Sequence, residues 1–444
     1  MSRISLVSVR NRFWLLAYGC QMNRYEANLV RSILIESGYE EARGEDDANV
    51  ILMLTCSVRE HAEQRALGRL AVLRSQKRTR PDLVVGVLGC MAQRCAETLA
   101  NGHGADIVAG PDEYRQLPSL VQAFRAGGGR QVAVALGGEC YDGILPQVSS
   151  AGNSRVSGFI SVMRGCDSFC TYCVVPYVRG HERSKPCQAV LAEFEHLRDS
   201  GVKDVTLLGQ NVLAYSHGGL DFAGLLRLID EQAGDTRVRF LTSHPRDVTP
   251  QLVEVLAGLR SWCAHLHLPL QSGSDSVLRR MNRHYGRLEY LDRIEMLRAA
   301  IPGLALTTDV MVGFPGETEA DFEQTLAVVE RVGYDFAYMF RYSERPGTMA
   351  SALADKVPAR ISSARLSRLI AVQSRITREK SLALCGQELE VLVEDRRGSS
   401  MLARTRGNKI VVLREPVPLG TTVTVRIEEV QGWTPIGVPV GRKP

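Results

Sequence analysis

Three cysteines fall within nine residues in the stretch GCDSFCTYC, and their spacing limits the chemistry that they can do. Cys166, Cys170 and Cys173, here called the local triad, follow the pattern C-x3-C-x2-C. Three thiols are too many for one disulfide and one too few for a closed zinc site. Three thiolates can instead bind three irons of a 4Fe-4S cube. The fourth iron then stays open to a small molecule with an amino and a carboxylate group, such as S-adenosylmethionine.

Two other readings of the local triad stay open at this point. A zinc site would need a fourth ligand, for which His181 is the nearest candidate. A redox-active thiol pair would use two of the three cysteines. The iron–sulfur reading is favoured because the triad opens a long alternation of strands and helices, which is a specific combination.

Three further cysteines each end an apolar strand pattern. RFWLLAYGC ends at Cys20, NVILMLTC at Cys56 and LVVGVLGC at Cys90, and we call these the strand-end triad. The carboxyl ends of neighbouring parallel strands meet at one edge of a sheet, where ligands bind. Three buried core cysteines are the alternative reading, because free cysteine is common in cores. Adjacent Gly19 and Gly89 favour a second cluster, which the backbone could approach closely.

These strands belong to a predicted N-terminal domain at residues 11–126. Helical patterns cover residues 24–37, 59–76 and 113–126, and ADIVAG adds a fourth strand. Buried apolar strands separated by helices predict a parallel α/β sheet. A Gly- and Ser-rich stretch at residues 127–151 is predicted to be a linker, in which VAVAL can add a strand.

The remaining chain predicts two further domains. Across residues 152–384, six apolar strand patterns from GFISVMRG to FAYMFRYS alternate with helical patterns, which predicts a partial parallel (β/α)6 barrel. A basic helix is expected at its end, over residues 359–384. Across residues 385–444, short strands with β-branched residues, divided by turns such as RRGSS and PVPLG, predict a small all-β barrel.

Composition narrows the protein class. The sequence has 444 residues, eleven cysteines and a net charge of +5. No apolar run approaches the roughly 18 residues that cross a bilayer, and the N-terminus lacks the apolar core and cleavage site of a signal peptide. We therefore expect a cytoplasmic protein with no membrane partner, in which the cysteines serve metal binding or catalysis rather than disulfides. The small positive charge permits a nucleic-acid partner without requiring one.

The motifs around both triads resemble a known family. The local triad, with the aromatic Tyr172 before its last cysteine, resembles the radical S-adenosylmethionine superfamily. The strand-end triad upstream and the small β-barrel downstream resemble the methylthiotransferases within that superfamily. The phrases YGCQMN, TCSVRE, GCMAQR, VVPYVRGHERS and LLGQNV carry this resemblance over nearly the whole chain. It implies a methylthiotransferase domain with an auxiliary cluster, a radical S-adenosylmethionine core and a C-terminal TRAM domain.

Residues beside the strand-end triad favour one substrate within this family. Members that act on ribosomal protein S12 typically carry Pro-Lys after the first cysteine and Gly after the second. Members that act on threonylcarbamoyl-adenosine in tRNA typically carry Lys-x-Asn and x-Val-Thr there. This chain has QMN after Cys20 and SVR (57–59) after Cys56, which match neither and resemble the members that act on prenylated adenosine. It departs from the family pattern at 26–27, where Glu-Ala replaces a common Asp-Ser pair without removing a ligand.

The resemblance implies a radical reaction on tRNA. A methylthio group would be added to C2 of N6-dimethylallyladenosine at position 37. The cluster on the local triad would cleave S-adenosylmethionine, and the resulting 5′-deoxyadenosyl radical would remove the hydrogen at C2. The cluster on the strand-end triad would supply the sulfur. The implied cofactors are two 4Fe-4S clusters and S-adenosylmethionine. The implied partners are the tRNA anticodon stem-loop and an electron donor such as flavodoxin or ferredoxin, and we expect a monomer.

Two alternative functions stay open. The same chemistry could act on threonylcarbamoyl-adenosine in tRNA or on ribosomal protein S12. A different class, a non-enzymatic iron–sulfur protein that binds RNA, would need no S-adenosylmethionine site.

Candidate binding residues for both ligands can be named. The candidate contacts to S-adenosylmethionine are the motif aromatic and polar residues near strand ends, namely Tyr172, Gln210, Asn211, Ser243, Gln271 and Asp309. An ordinary loop-forming role is the alternative for each polar residue. In the C-terminal barrel, Arg404, Arg406 and Lys409 are candidate phosphate contacts, and the basic helix would extend their footprint. A solvated charged face is the alternative for these cations.

Overall fold

The structure, a computed structural model, describes residues 11–57, 60–147 and 156–440, without the side chains of residues 60 and 61. Val58 and Arg59 of the SVR motif therefore lie outside the described residues. The chain divides into two compact units. The first contains the described residues up to Gln147 together with Val174–Arg183, and the second contains 156–173 and everything described from Ser184 onwards.

A six-stranded parallel sheet forms the first unit, which confirms the predicted α/β sheet. Its strands are β1 (Arg12–Ala17), β2 (Glu40–Glu41), β3 (Val50–Thr55), β4 (Val84–Gly89), β5 (Ile107–Ala109) and β6 (Gln131–Ala133). They pair in the order β2-β1-β3-β4-β5-β6, and all pairs are parallel. The central strands β3 and β4 are buried along their whole lengths, as their apolar sequences require.

Five helices accompany this sheet in the part of the first unit that the structure describes. They are α1 (Gln21–Glu36), α2 (Glu60–Gln76), α3 (Cys90–Arg94), α4 (Leu117–Arg125) and α5 (Val175–Arg179). A π-helical turn covers Thr98–Gly102, and 3-10 turns cover Glu45–Asp47 and Tyr114–Gln116. The segment predicted to be a linker adds β6 to the sheet. It also adds a fully buried Tyr141, whose ring stacks on Tyr114 at 5.7 Å between centroids.

Six parallel strands form the predicted partial barrel in the second unit. They are β7 (Ser157–Ser161), β10 (Asp204–Leu208), β13 (Arg237–Phe240), β14 (His265–His267), β15 (Ala305–Val312) and β16 (Phe336–Arg341). Four short strands lie between them in the sequence, namely β8 (Met163–Arg164), β9 (Arg183–Ser184), β11 (Ser216–His217) and β12 (Leu220–Asp221). The chain crosses between the two units within β9. The six make two three-stranded sheets, β13-β10-β7 and β14-β15-β16, linked by a parallel bridge from Val238 to Trp262.

Helices cover the outer face of this barrel. They are α6 (Cys187–Asp199), α7 (Phe222–Ala233), α8 (Pro250–Gly258), α9 (Asp275–Arg280), α10 (Arg287–Ala300), α11 (Glu319–Val332) and α12 (Ala359–Leu382), with 3-10 turns at Val212–Ala214, Pro245–Asp247 and Met349–Ala352. Strand alternation separates two sets of side chains on β15. Leu306, Val310 and Val312 join the apolar core beneath the helices, so the intervening residues face the inside of the barrel.

A closed five-stranded barrel ends the chain, as predicted. Its strands are β17 (Glu388–Arg397), β18 (Ser400–Thr405), β19 (Ile410–Leu413), β20 (Thr422–Gln431) and β21 (Thr434–Pro439), in the order β17-β18-β19-β21-β20. Alternating β-branched side chains fill it, among them Val391, Val393, Val411 and Ile427. None of the helices that the structure describes is long and apolar enough to cross a membrane.

Candidate functional site

The strand-end triad comes together at one edge of the first sheet. Cys20 caps the start of α1 after β1, Cys56 directly follows β3, and Cys90 opens α3 after β4. Because β1, β3 and β4 are adjacent parallel strands, their carboxyl ends are neighbours. Gly19 and Gly89 both have positive φ, at 121° and 91°. A side chain on Gly19 would collide with Cys56, so these glycines let the strand ends approach each other.

The thiols of this triad interact with one another. A hydrogen bond from Cys56 lowers the pKa of the Cys20 thiol to about 6, so Cys20 is largely thiolate at neutral pH. Burial raises the pKa of Cys90, and the positive charge of Arg179 opposes that rise. Thiolates are the form that binds metals. The arrangement therefore brings together three candidate sulfur ligands, one of which is readily ionised.

A buried ion pair supports the strand-end triad. Arg179 Nε donates to Cys90 Sγ at 3.1 Å, and Arg179 Nη2 donates to Glu26 Oε2 at 3.0 Å. The hydroxyl of Tyr114 donates to the same carboxylate at 3.0 Å. Although burial lowers the pKa of Arg179, Cys90 and Glu26 hold it well above its usual range. A permanent cation thus lies against thiols that carry negative charge when they bind metal.

The local triad lies in a loop after β8 in the second unit. The backbone N–H of Cys173 donates to the carbonyl of Cys170 at 2.9 Å, which closes the loop on itself. The loop is tied to the segment after α9, because Thr171 N–H donates to Met281 O and Asn282 Nδ2 donates to Phe169 O, both at 3.1 Å. Phe169 has a positive φ of 43°, a backbone strain of the kind found at functional sites.

A second buried arginine contacts the local triad. Arg283 Nη1 donates to Cys170 Sγ at 3.4 Å, and its Nε donates to the hydroxyl of Tyr285 at 3.2 Å. Tyr285 in turn donates to the carbonyl of Leu270 at 2.8 Å. Burial raises the pKa of Tyr172 well above its usual value, so this motif aromatic stays protonated. Each triad therefore has one thiol that accepts a hydrogen bond from a buried guanidinium.

No three His, Cys, Asp or Glu side chains within the described ranges surround a single metal ion. A cube differs from such a site, because each thiolate binds a different iron. His181, the candidate fourth ligand for zinc, is exposed and belongs to the segment that packs in the first unit.

Most of the predicted contacts to S-adenosylmethionine lie in loops after strands, whereas Asp309 lies within β15, and they differ in what they touch. Gln210 Oε1 accepts from the N–H of Gly165 at 2.8 Å, so this side chain holds the start of the local-triad loop. Ser243 Oγ donates to the carbonyl of His267. Asp309 Oδ2 lies 3.5 Å from His267 Nε2. Gln271 has a positive φ of 63°, and its N–H donates to the carbonyl of Asp309 at 2.8 Å.

Three buried polar atoms in this region have no hydrogen-bond partner among the residues that the structure describes. They are Ser168 Oγ, Asn211 Oδ1 and His244 Nε2. The amide of Asn211 is held by Asp247, to which its Nδ2 donates at 2.6 Å. Burial and the nearby Arg283 lower the pKa of His244 to about 2, so its ring is neutral. Unpartnered buried polar atoms cost free energy unless a ligand satisfies them, which makes these three candidate ligand contacts.

The predicted RNA contacts of the C-terminal barrel have partners within the second unit. Arg406 Nη2 donates to the carbonyls of Arg260 and Trp262, at 2.6 and 2.8 Å. Arg404 Nε donates to Glu394 at 2.8 Å. Lys409 Nζ donates to Ser381 Oγ at 3.0 Å. The loop between β18 and β19 thus meets the amino-terminal ends of the barrel strands, and a role of these cations in RNA binding stays a prediction.

Two buried arginines of the partial barrel donate hydrogen bonds to the carbonyls of this loop. Arg239 donates to the carbonyls of Thr405 and Arg406, at 3.0 and 2.9 Å, and pairs with Asp204 at 2.8 Å. Arg237 donates to the carbonyl of Arg404 at 2.8 Å. This contact could not be predicted from the sequence, because its partners lie more than 150 positions apart.

The basic helix is less cationic than its composition indicates. Arg365 and Arg368 pair with Glu319, Arg375 with Glu330, and Lys380 with Asp335. Residues 359–384 contain six cations, namely Arg360, Arg365, Arg368, Arg375, Arg378 and Lys380. Four of them are therefore neutralised by acidic residues of α11 or by Asp335, just before β16. The expected extension of an RNA footprint along α12 is correspondingly weakened.

Comparison with known proteins gives full-length relatives. A protein from Bacteroides fragilis named tRNA-2-methylthio-N(6)-dimethylallyladenosine synthase is 43% identical over 433 residues, which cover 95% of this chain and 94% of that protein. A protein of the same name from Porphyromonas gingivalis is 43% identical over 439 residues, covering 96% and 94%. Family models match at residues 12–110 (Uncharacterized protein family UPF0004), 160–329 (Radical SAM superfamily) and 383–440 (TRAM domain).

A solved structure shares the fold. It is the radical S-adenosylmethionine methyltransferase TsrM from Kitasatospora setae, with cobalamin and a [4Fe-4S] cluster bound. It aligns with a TM-score of 0.61 at 14% identity over 77% of each chain. At that identity the likeness concerns the fold alone.

Proposed function

Because this chain belongs to the family of the tRNA-2-methylthio-N(6)-dimethylallyladenosine synthases, we propose that it adds a methylthio group to C2 of N6-dimethylallyladenosine in tRNA. The chain is a tRNA methylthiotransferase that works by radical S-adenosylmethionine chemistry. One observation carries the proposal beyond the family name. Each of two separate cysteine triads has a thiol that accepts a hydrogen bond from a buried arginine, as two reactive metal centres would require.

The donor sets fit two 4Fe-4S clusters. Each triad offers three thiolates and leaves one iron of a cube without a protein ligand. The cation beside each triad opposes the negative charge of a thiolate-bound cluster. When bound, the cluster of the local triad supplies the electron that cleaves S-adenosylmethionine, and the cluster of the strand-end triad supplies sulfur.

The chain's own residues hold and orient these groups. We propose that Arg283 fixes Cys170 and that Arg179 fixes Cys90, because each guanidinium is itself anchored by a buried tyrosine or carboxylate. Gln210 holds the loop of the local triad through Gly165. These contacts orient the ligands before any substrate arrives.

We propose that S-adenosylmethionine binds at the carboxyl ends of the barrel strands. Ser168, Asn211 and His244 would hydrogen-bond its polar groups with their unpartnered atoms. The neutral ring of His244 offers a nitrogen without adding a charge that would repel the sulfonium. Tyr172, Ser243, Gln271 and Asp309 remain candidates for the same site, near the barrel's inner face.

The remaining expectations are proposals of the same kind. We propose that the enzyme is a cytoplasmic monomer which receives electrons from a flavodoxin or ferredoxin. We propose the domain boundaries given by the sequence, with the TRAM domain from residue 385 contributing to tRNA binding. No membrane partner is required for this chemistry.

A substrate comparison tests the proposal. Anaerobically reconstituted enzyme is incubated with prenylated tRNA, with threonylcarbamoyl-adenosine tRNA and with ribosomal protein S12, and each product is examined for the mass of an added methylthio group. We expect the mass of an added methylthio group on the prenylated tRNA alone. Addition of that mass only to ribosomal protein S12 would reject prenylated tRNA as the substrate. Failure of the reduced enzyme to release 5′-deoxyadenosine would favour a non-enzymatic protein.

A further inference from the structure

Three aromatic side chains lie exposed in a row on the last strand of the partial barrel. Phe336, Tyr338 and Phe340 are 38%, 44% and 41% exposed. They alternate along β16 and so share one face, whereas Ala337 between them is buried. The rings of Phe336 and Tyr338 meet edge to face at 5.2 Å between centroids. We call these three side chains the aromatic ladder.

The ladder faces the inside of the barrel. Strand register sets Phe336 opposite Thr307 and Tyr338 opposite Asp309, and both partners belong to the inward face of β15. Helix α12 covers the other face of β16. The ring of Tyr338 also meets His267 at 5.8 Å between centroids. The rings therefore border the barrel interior, where ligands of such enzymes are expected.

The upper end of the ladder leads to the local triad. Phe340 lies opposite Met311 in the register. Met311 packs against the small apolar cluster around Phe314, and so does Tyr172, which directly precedes Cys173. An apolar group resting on Phe340 and Met311 would thus lie on a surface continuous with the proposed active site.

The lower end of the ladder lies near Lys409, whereas the charge of nearby Lys380 is offset by Asp335. Phe336 follows Asp335, which pairs with Lys380 at 3.0 Å. Lys409 of the C-terminal barrel contacts Ser381, whose hydroxyl also donates to the carbonyl of the half-exposed Trp433. Cations beside exposed aromatic rings match the phosphates and unstacked bases of a single-stranded RNA loop.

We propose that the aromatic ladder binds the prenylated adenosine of the tRNA loop, with the dimethylallyl group against Phe340 and Met311. This rests on the proposed function and adds the residues that select its substrate. A row of exposed aromatic rings on one strand face is a candidate binding surface. The ring faces suit both a purine, which stacks on aromatic side chains, and a five-carbon apolar group. Stabilisation of the edge strand by its own aromatic pairs is the competing explanation.

Two RNA stem-loops that differ only in the dimethylallyl group test the proposal. The dissociation constants of both are measured for the full-length enzyme, and their ratio reports the preference for the prenyl group. We expect wild type to prefer the prenylated loop by about tenfold or more, because part of a five-carbon group leaves water. Phe340→Ser and Tyr338→Ser should each reduce this ratio by at least about threefold.

A matched control and an alternative pair of variants keep the test decisive. Leu288→Ser changes a side chain that is 66% exposed on α10, away from the ladder, and should leave the ratio unchanged. If the serine variants do not fold, Phe340→Leu and Tyr338→Leu keep an apolar side chain in the strand but remove the ring face, and the same fall in the ratio is expected.

The affinity ratio tests the ladder as the prenyl site, whereas methylthio addition tests the proposed function, so the two can fail separately. Ladder variants that keep the wild-type ratio, including variants that weaken both RNAs equally, would overturn the ladder as the prenyl site. Equal affinity of wild type for the two RNAs would overturn it as well. In either case, methylthio gain on prenylated tRNA by the wild-type enzyme would leave the proposed function standing.

Discussion

Replacing Arg179 by methionine should destabilise the first unit strongly, because the carboxylate of Glu26 would stay buried without its cation. The side chains of Arg179 and Glu26 are 2% and 0% exposed. Removing one partner of a buried ion pair typically costs about 3–5 kcal/mol. Whole domains are stable by only about 5–15 kcal/mol, so the loss is a large share of the stability of this unit.

Native-state hydrogen exchange measures this loss within one unit of the chain. The central strands β3 and β4 are fully buried, so their amides exchange through opening of the sheet. A loss of about 3–5 kcal/mol corresponds to exchange that is roughly 100- to 4,000-fold faster. Amides of β17 in the C-terminal barrel supply a reference in the same sample and should not change.

Two further variants make the interpretation specific. Arg12 pairs with Asp47 in the same unit, but the two side chains are 42% and 34% exposed. Arg12→Met should therefore cost no more than about 1 kcal/mol. The double variant Glu26→Gln/Arg179→Met removes both charges of this pair and should recover part of the loss. Exchange within tenfold of wild type in Arg179→Met, or no recovery in the double variant, would refute this reasoning.

Three other predictions follow from the two triads and the barrel. Cys170→Ala should abolish release of 5′-deoxyadenosine, whereas Cys56→Ala should keep that release and lose methylthio gain; retained gain in Cys56→Ala would contradict a sulfur-donor role. Asn211→Leu should weaken binding of S-adenosylmethionine by about tenfold, the value of one hydrogen bond, in equilibrium dialysis; unchanged affinity would remove Asn211 from the site. Although burial opposes it, hydrogen bonds from Ser274, Thr318 and Ser276 hold the pKa of Asp321 below its usual range. The ionised carboxylate of Asp321 therefore stabilises the fold above about pH 4, and this stabilisation is lost as pH falls through the lowered pKa. The free energy of unfolding of Asp321→Asn should accordingly depend less on pH in acid than that of wild type. An acid unfolding profile equal to that of wild type would contradict this.

Local pattern was enough to predict much of the fold. The apolar runs that end at Cys20, Cys56 and Cys90 are strands, of which the last two are buried throughout, and sheet order brings their ends together. The physical reason is that the burial of a strand and the periodicity of a helix depend on the pattern of apolar side chains among neighbouring residues. The fold class and the three architectures were therefore correctly predicted.

Long-range polar contacts could not be predicted in this way. Glu26 and Arg179 are 153 positions apart, and Cys170 and Arg283 are 113 apart. In both pairs, the residues next to one partner in the sequence give no indication of the other partner. Glu26, where the family pattern commonly has Asp, removes no ligand, but its carboxylate holds the guanidinium of Arg179 beside Cys90.

Basic residues were also hard to interpret from composition. The charges of α12 looked available to RNA, but acidic side chains of α11 approach from a distant part of the sequence. The cations of the β18–β19 loop likewise have partners on the barrel or on α12. A count of charges along one segment cannot reveal such pairing. The shared inward face of the aromatic rings of β16 likewise could be recognised only from the strand register.

The iron content of anaerobically isolated protein tests the central claim most directly. Wild type should contain about eight irons per chain, and the variant with all three cysteines of either triad changed to alanine should contain about four. That result would assign one four-iron cube to each triad. Zinc in place of iron, or about four irons in wild type, would contradict the account of two separate clusters.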